Sequence, residues 1–263
     1  LSRVMVEVEP GHNGAAEWAT ETIDGLGSAL NENLDLRVHS SQYLLRARLA
    51  RAGLGVDSVT LVGAPGAALV SLMARWNPPS NLEHLGLSVA PLRPRDVDEV
   101  IAIRRQVFAA NPEYCWFGAR KSFLAQQRNE LLVAAPRAMR LVVKDGDRVV
   151  GLLAADVRAN VPGWGRAGGM DLVLAPDIQR RGVVKTAYRL LLEHLVHHRV
   201  DVFKGGTAQP AVMHLGRAMG RVVFQTNHRR DTAFALSHFA VMLDGARHPP
   251  RLSSQPPEGV GQH

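Results

Sequence analysis

Hydrophobic and polar positions alternate in two rhythms along this chain. Between 89 and 243, short apolar runs alternate with longer stretches of helical period. SVAPLRP, from Ser88, reads as a strand. Residues 94–110, PRDVDEVIAIRRQVFAA, read as a helix: Asp96 is its expected N-cap, and Val97, Val100, Ile101 and Ile103 fall on or near one face. A second helix is expected over 119–131. MRLVVKDGDRVVGLLAADVRA holds two apolar runs around Asp145-Gly146-Asp147, a hairpin signal. A strand over 170–174 leads into a helix over 182–197. A short strand over 201–205, a helix over 211–219 and a strand over 221–225 follow. An antiparallel beginning that passes into strand–helix–strand units predicts an α/β (α+β) fold, a mixed sheet flanked by helices.

The first third repeats the later pattern. A strand ends at Pro10, a glycine follows at 14, and a helical stretch runs to about residue 30. A strand over 34–38, a helix over 41–51 that ends at Gly53, and a strand over 58–62 complete the unit. Leu36 and Gly53 are 17 positions apart, as are Phe203 and Gly220. Matching order and spacing read as an internal repeat; an unrelated α/β cap is the alternative. RWNPPSNLEHLGLS, ending at Ser88, has the Pro, Ser, Asn and Gly of a linker. The expected organisation is a first unit over 1–75, a linker over 76–88, a main domain over 89–245 and a disordered tail over 246–263, rich in Pro, Gly, Ser and Gln. A first unit this short would expose a strand edge: the expectation is either a fragment or truncated product of a longer tandem protein, or a half-domain that completes its sheet against the other domain or a partner chain, as a homodimer would allow.

Composition narrows the class. The chain has 263 residues, 46% apolar and 21% charged, enough for a sizeable core. It has no apolar run of about 18 residues, which argues against a membrane span. LSRVMVEVEP does not read as a signal peptide: its apolar stretch is short and carries Glu7 and Glu9. Cys115 is the single cysteine, which excludes an internal disulfide and a Cys-based zinc site and points to the cytoplasm. Neither HxH nor HExxH is present, so no metal is expected. The net charge of +7 would suit nucleic acid, an anionic membrane or a phosphorylated small molecule. The basic residues are dispersed, and only 5% of positions are aromatic, which argues against nucleic acid.

A phosphorylated ligand has an obvious place to dock. In VLAPDIQRRGVVKTAYRLLLEHL a strand stops at Pro176 and a helix starts beside Gly182. The first turn of a helix presents unpaired N–H groups and the positive end of the macrodipole, and glycine lets an anion come close. Arg180 and Arg181 add charge. The bland alternative is a plain turn with solvated arginines. The loop is neither GxxxxGK[ST] nor GxGxxG.

These residues resemble the acyl-CoA pyrophosphate loop of the GNAT superfamily of N-acetyltransferases. Gln179, Gly182 and the Leu-rich helix match the family pattern; Val184 stands where a small residue is usual. The order of elements from Val89 to Gln225 is also similar to that family. The first 75 residues look like the second half of another, degenerate GNAT unit, because PGHNG is shorter than PDIQRRG and lacks its arginines. Many members carry a Met seven residues before the later glycine, as Met213 stands before Gly220, and an Asn or Tyr four before it. Here that position is Gly216, so the tyrosine often assigned to protonate the leaving thiolate is missing from it.

The resemblance implies acetyl-CoA as co-substrate and an amine as acceptor. The strand before the hinge, Leu172, Val173 and Leu174, would hold the pantetheine arm. The amides of Gln179, Arg180, Arg181, Gly182, Val183, Val184, Lys185 and Thr186 would form the diphosphate loop. Asp171 is the first candidate for proton acceptor, acting through water, and Asp156 the second; each could equally be a strand-end or solvent-facing residue. His214 is a third candidate, as acid or base. His197 and His198 read as complements to a helix dipole. Tyr114, Trp116 and Phe117 could line an acceptor pocket or plug the core. Two rival readings are a mycothiol-synthase-like enzyme of small-metabolite metabolism and a non-catalytic CoA-sensing module.

Overall fold

The computed structural model describes residues 4–8, 34–39, 54–110, 121–133, 135, 137–179 and 181–230. The expected hinge at 10–14, the helices to residue 30 and over 41–51, and the tail over 246–263 lie outside the described residues. So do Tyr114, Trp116, Phe117 and Arg180.

The strands are β1 (Val4–Val8), β2 (Leu34–His39), β3 (Leu54–Gly63), β4 (Ser88–Pro91), β5 (Met139–Asp145), β6 (Arg148–Val161), β7 (Gly165–Leu174), β8 (Val202–Thr207) and β9 (Val222–Arg230). The helices are α1 (Pro65–Trp76), α2 (Val97–Ala110), α3 (Lys121–Leu132), α4 (Val183–His197) and α5 (Pro210–Ala218). All nine strands join one sheet in the order β1-β2-β9-β3-β8-β7-β6-β5-β4. The sheet is mixed: β1–β2 and β7–β8 are parallel, and the other neighbours are antiparallel.

The centre of this order is palindromic. From β1 inward one meets a parallel pair, then β9; from β7 inward one meets a parallel pair, then β3. Thus β3, from early in the chain, lies between β8 and β9, while the late β9 lies between β2 and β3.

Helices cover both faces of the sheet around β6 and β7. Gly168 faces α4: a Cβ there would lie 2.9 Å from Leu195 and 3.1 Å from Val200, so glycine permits the close approach of helix and strand. Asp171, of opposite parity on β7, meets Arg104 of α2. α1 therefore packs beside α4 on one face, and α2 with α3 covers the other. Leu152 and Leu153 are adjacent on β6 and both fully buried, as a strand covered on both sides requires.

Three local features differ from the sequence reading. The 94–110 helix begins as a 3-10 turn, Pro94–Asp96, before α2. Asp96 works as a reach-back cap: its Oδ2 accepts from the Arg93 N–H at 3.0 Å. β7 also starts earlier than 170, at Gly165, because glycine-rich sequence hides the period of a strand. The Pro-rich stretch after α1 is packed rather than loose. Leu82 and Leu87 are buried, and Arg189 of α4 donates to the Pro78 carbonyl at 2.7 Å. No helix among the described residues is long and apolar enough to cross a membrane.

Candidate functional site

The site begins where two parallel strands part. β7 and β8 pair at Ala167↔Val202, Gly168↔Phe203 and Gly169↔Lys204, and the ladder stops there. The bond from the Ala175 N–H to the Val150 carbonyl, 2.8 Å, fixes the alternation along β7. Val173 and Asp171 bond to β6, so Met170, Leu172 and Leu174 direct their backbone groups toward the side where β8 has diverged. The Met170 carbonyl accordingly points at Gly205, 3.6 Å from where its Cβ would be. Leu172 thus offers an N–H and a C=O to the opening, while the Leu174 carbonyl accepts from Gln179 Nε2 at 3.0 Å.

That opening leads to the hinge. The turn after β7 is pinned by Ile178, which is fully buried and whose N–H bonds the Ala175 carbonyl at 3.0 Å. Gly182 then takes φ 85°, ψ −4° as the N-cap of α4, and no side chain caps that end. The left-handed φ favours glycine, and the space in front of its Cα is open to 4 Å. The amides of Val183, Val184 and Lys185 are those that helical geometry leaves without an intrahelical partner. No acidic residue lies in that first turn to oppose an anion. Val184 packs partly against the core, Lys185 Nζ stands 5.0 Å from the Trp76 ring, and Arg181 is exposed. Thr186 is buried, and its amide is the first that the helix itself can pair.

On the α2 and α3 face lies a cavity of about 590 Å³. Asp156 and Asp171 line it, with Gly169, Met170 and Gly205 at the strand opening, Lys204 at the rim, and Trp164 and Phe224 opposite. The two rings meet edge to face, 5.1 Å between centroids at 87°. Asp171 is 46% exposed and is held by Arg104, whose side chain is 6% exposed. Arg104 Nη1 donates to Gln127 Oε1 at 2.7 Å, and Gln127 in turn donates to Glu130, so α2 and α3 brace the carboxylate. Asp156, 52% exposed, is 3.8 Å from Arg140. The structure therefore brings both aspartates to one concave surface. His214 lies on the exposed face of α5 and is not among the cavity's lining residues. His194, His197 and His198 stack at the end of α4, and no group of described residues is arranged to hold a metal.

The sequence reading did not single out Arg104, Trp164, Phe224 or Arg221. Arg104 carried a signal: an arginine three and four residues after Ile101 and Val100, on the apolar stripe of a helix. Leu61, with Arg221 beside it, explains the departure at Gly216. A Cβ at Gly216 would lie 2.6 Å from Leu61 Cδ1, and the Arg221 side chain, 3.7 Å away, fills the remaining room. Gly216→Tyr, the residue the resemblance would call for, is therefore expected to destabilise the fold by about 1–3 kcal/mol through overpacking. A lower denaturation midpoint with no gain in turnover is the expected measurement.

Residues 104–216 match the sequence profile of the acetyltransferase (GNAT) family. No curated protein matches the chain. Among solved structures, a GCN5-related N-acetyltransferase from Kribbella flavida is 14% identical with a TM-score of 0.47, covering 88% of this chain and 79% of that one. A tandem GNAT protein from the clavulanic acid biosynthesis pathway is 11% identical with a TM-score of 0.45, covering 84% of this chain and 71% of its own. A GCN5-related N-acetyltransferase from Ralstonia eutropha JMP134 is 14% identical with a TM-score of 0.40, covering 50% and 90% respectively. The matched profile spans the arginine that braces Asp171, the parted strands, the cavity aspartates and the glycine-led helix, and this chain carries a domain of the GNAT acetyltransferase family.

Proposed function

We propose that the protein transfers an acetyl group from acetyl-CoA to a primary amine. One observation carries this reading: a strand opening, where β8 no longer pairs the backbone groups of Leu172, runs to a helix N-terminus led by Gly182. That arrangement suits an elongated ligand with an amide-rich arm and a diphosphate. Leu172 would hold the arm, and the amides of Val183 to Lys185, with the charge of Arg181, would take the diphosphate.

The cavity supports an amine as acceptor. Two carboxylates on one wall attract an ammonium, and the rings of Trp164 and Phe224 give its carbon skeleton an apolar surface. In the reaction, the ammonium first passes one proton to water; the neutral amine nitrogen attacks the thioester carbonyl carbon, the C–S bond breaks with its electron pair on sulfur, and the nitrogen gives up a second proton. Asp171 is the acceptor of that proton, directly or through one water, because Arg104 fixes its orientation. Asp156 contributes charge to the same wall. The single cysteine fits a reducing cytoplasm. We read residues 1–75 as a degenerate half copy of the later unit; the palindromic strand order around β3 and β9 supports this.

Titration calorimetry with acetyl-CoA, followed by a thiol-release assay over a panel of amines, tests the proposal. The expected result is stoichiometric binding and thiol release with cationic amines that carry an apolar group. Binding with no turnover on any amine would favour a sensing role. Absence of acetyl-CoA binding would overturn the reading.

A further inference from the structure

A buried cation lies behind the floor of the cavity. Arg221 is 4% exposed, between α4 and α5 on the face opposite the aspartates. Its Nη2 donates to the Leu61 carbonyl at 2.8 Å and to the Gly205 carbonyl at 3.4 Å. Its guanidinium carbon stands 4.6 Å from the centre of the Phe203 ring, and Tyr188 of α4 is an electrostatic neighbour. Nε is buried with no hydrogen-bond partner, and no carboxylate pairs with this arginine among the described residues. Desolvation pulls Arg221 below its ordinary pKa, and the same burial raises Tyr188. An arginine remains charged even so, and the phenol remains neutral.

A buried charge without a counter-charge is costly. Its position suggests a use. Gly205 lines the cavity on one side and touches Arg221 on the other: a Cβ at Gly205 would lie 3.1 Å from Nη2. The guanidinium is thus one glycine away from the strand opening. The cavity is polarised, with carboxylates on its wall and a fixed cation beneath its floor.

We propose that Arg221 is a positioning residue for negative charge, acting through the Gly205 floor to stabilise the thiolate that leaves when the thioester is cleaved. This rests on the acetyl-transfer reading above. When the C–S bond breaks, the electron pair stays on sulfur. The amine proton goes to the Asp171 wall. Arg221 keeps all its protons and supplies only its charge, from a buried position of its own behind the floor.

Free CoA offers a direct test, since its thiol can ionise in the same place. The probes are CoA and desulfo-CoA, titrated calorimetrically against the full-length protein between neutral and alkaline pH. The thiolate is followed in parallel by ultraviolet difference spectra in a Cys115→Ser background. The expected result is a bound thiol that ionises about one to two pH units below free CoA. CoA affinity should then rise with pH where desulfo-CoA affinity does not. Arg221→Met should abolish that difference without changing desulfo-CoA affinity, and Arg221→Lys should restore part of it. Lys204, exposed at the rim, is the competing cation; Lys204→Met should leave the difference in place.

If Arg221→Met does not fold, the wild-type comparison and Arg221→Lys decide the matter. CoA that binds with the pH dependence of desulfo-CoA would overturn this inference and leave the acetyl-transfer reading standing. Failure of both ligands to bind would overturn the acetyl-transfer reading itself.

Discussion

Gly182→Trp is expected to weaken acetyl-CoA binding by at least about a hundredfold while the protein stays folded. The Gly182 Cβ position meets no atom of the described residues within 4 Å, so an indole has space to enter without disturbing the core. The same space lies before the first amides of α4, where a diphosphate would dock. The φ of 85° adds strain for any side chain, about 1–2 kcal/mol. Gly182→Ala separates the two effects: it carries the strain but leaves the approach open, and its affinity should fall much less. Calorimetry with thermal melts on both variants measures this. Unchanged affinity in the tryptophan variant would place the diphosphate elsewhere.

Asp171→Asn should lower kcat/KM by about 10²–10⁴, the range expected for loss of a general base, with acetyl-CoA affinity preserved. The amide is nearly isosteric and its oxygen can still accept from Arg104, so the cavity wall should keep its shape. The stability cost should be small, because Asp171 is 46% exposed and solvent screens much of the pair. Asp156→Asn is the comparison. Its carboxylate lies at 3.8 Å from Arg140, without the tight bracing from α2 and α3, and its loss should act mainly on KM for the amine. Steady-state kinetics on both variants distinguish a proton acceptor from an electrostatic wall. A larger kcat loss in Asp156→Asn would exchange their roles.

The parts of this site that lie along one stretch of chain were legible. A strand ending at proline, a Gln and Gly at short spacing and a Leu-rich helix mark the hinge, because each feature is local in cause. Asp156 and Asp171 were also recoverable: a hairpin partner and period-two alternation put both on one face. What was not legible depends on distant neighbours. Arg221 stands at the start of β9, and nothing near it in sequence indicates that Leu61 will accept its hydrogen bond across 160 positions. Trp164 meets Phe224 only because β6, β7, β8, β3 and β9 lie in that order. Strand patterns reveal which residues face inward, but not which strands become neighbours. Gly216 shows the same limit: as a departure from a family pattern it looked like a loss, whereas in three dimensions it is where Leu61 comes too close for a side chain.

The interleaving of β3 and β9 has a consequence for how the molecule is made. β2 and β3 are synthesised well before the strand that joins them, β9, which ends at Arg230. Until the ribosome has delivered β9, each presents a bare ladder of N–H and C=O groups to its surroundings. β8 likewise depends on the early β3 for its neighbour on the side away from β7. Contacts this far apart in sequence form late, and partly zipped sheets stick to one another. The nascent chain therefore has a long vulnerable interval, because the early and late strands complete the sheet only together.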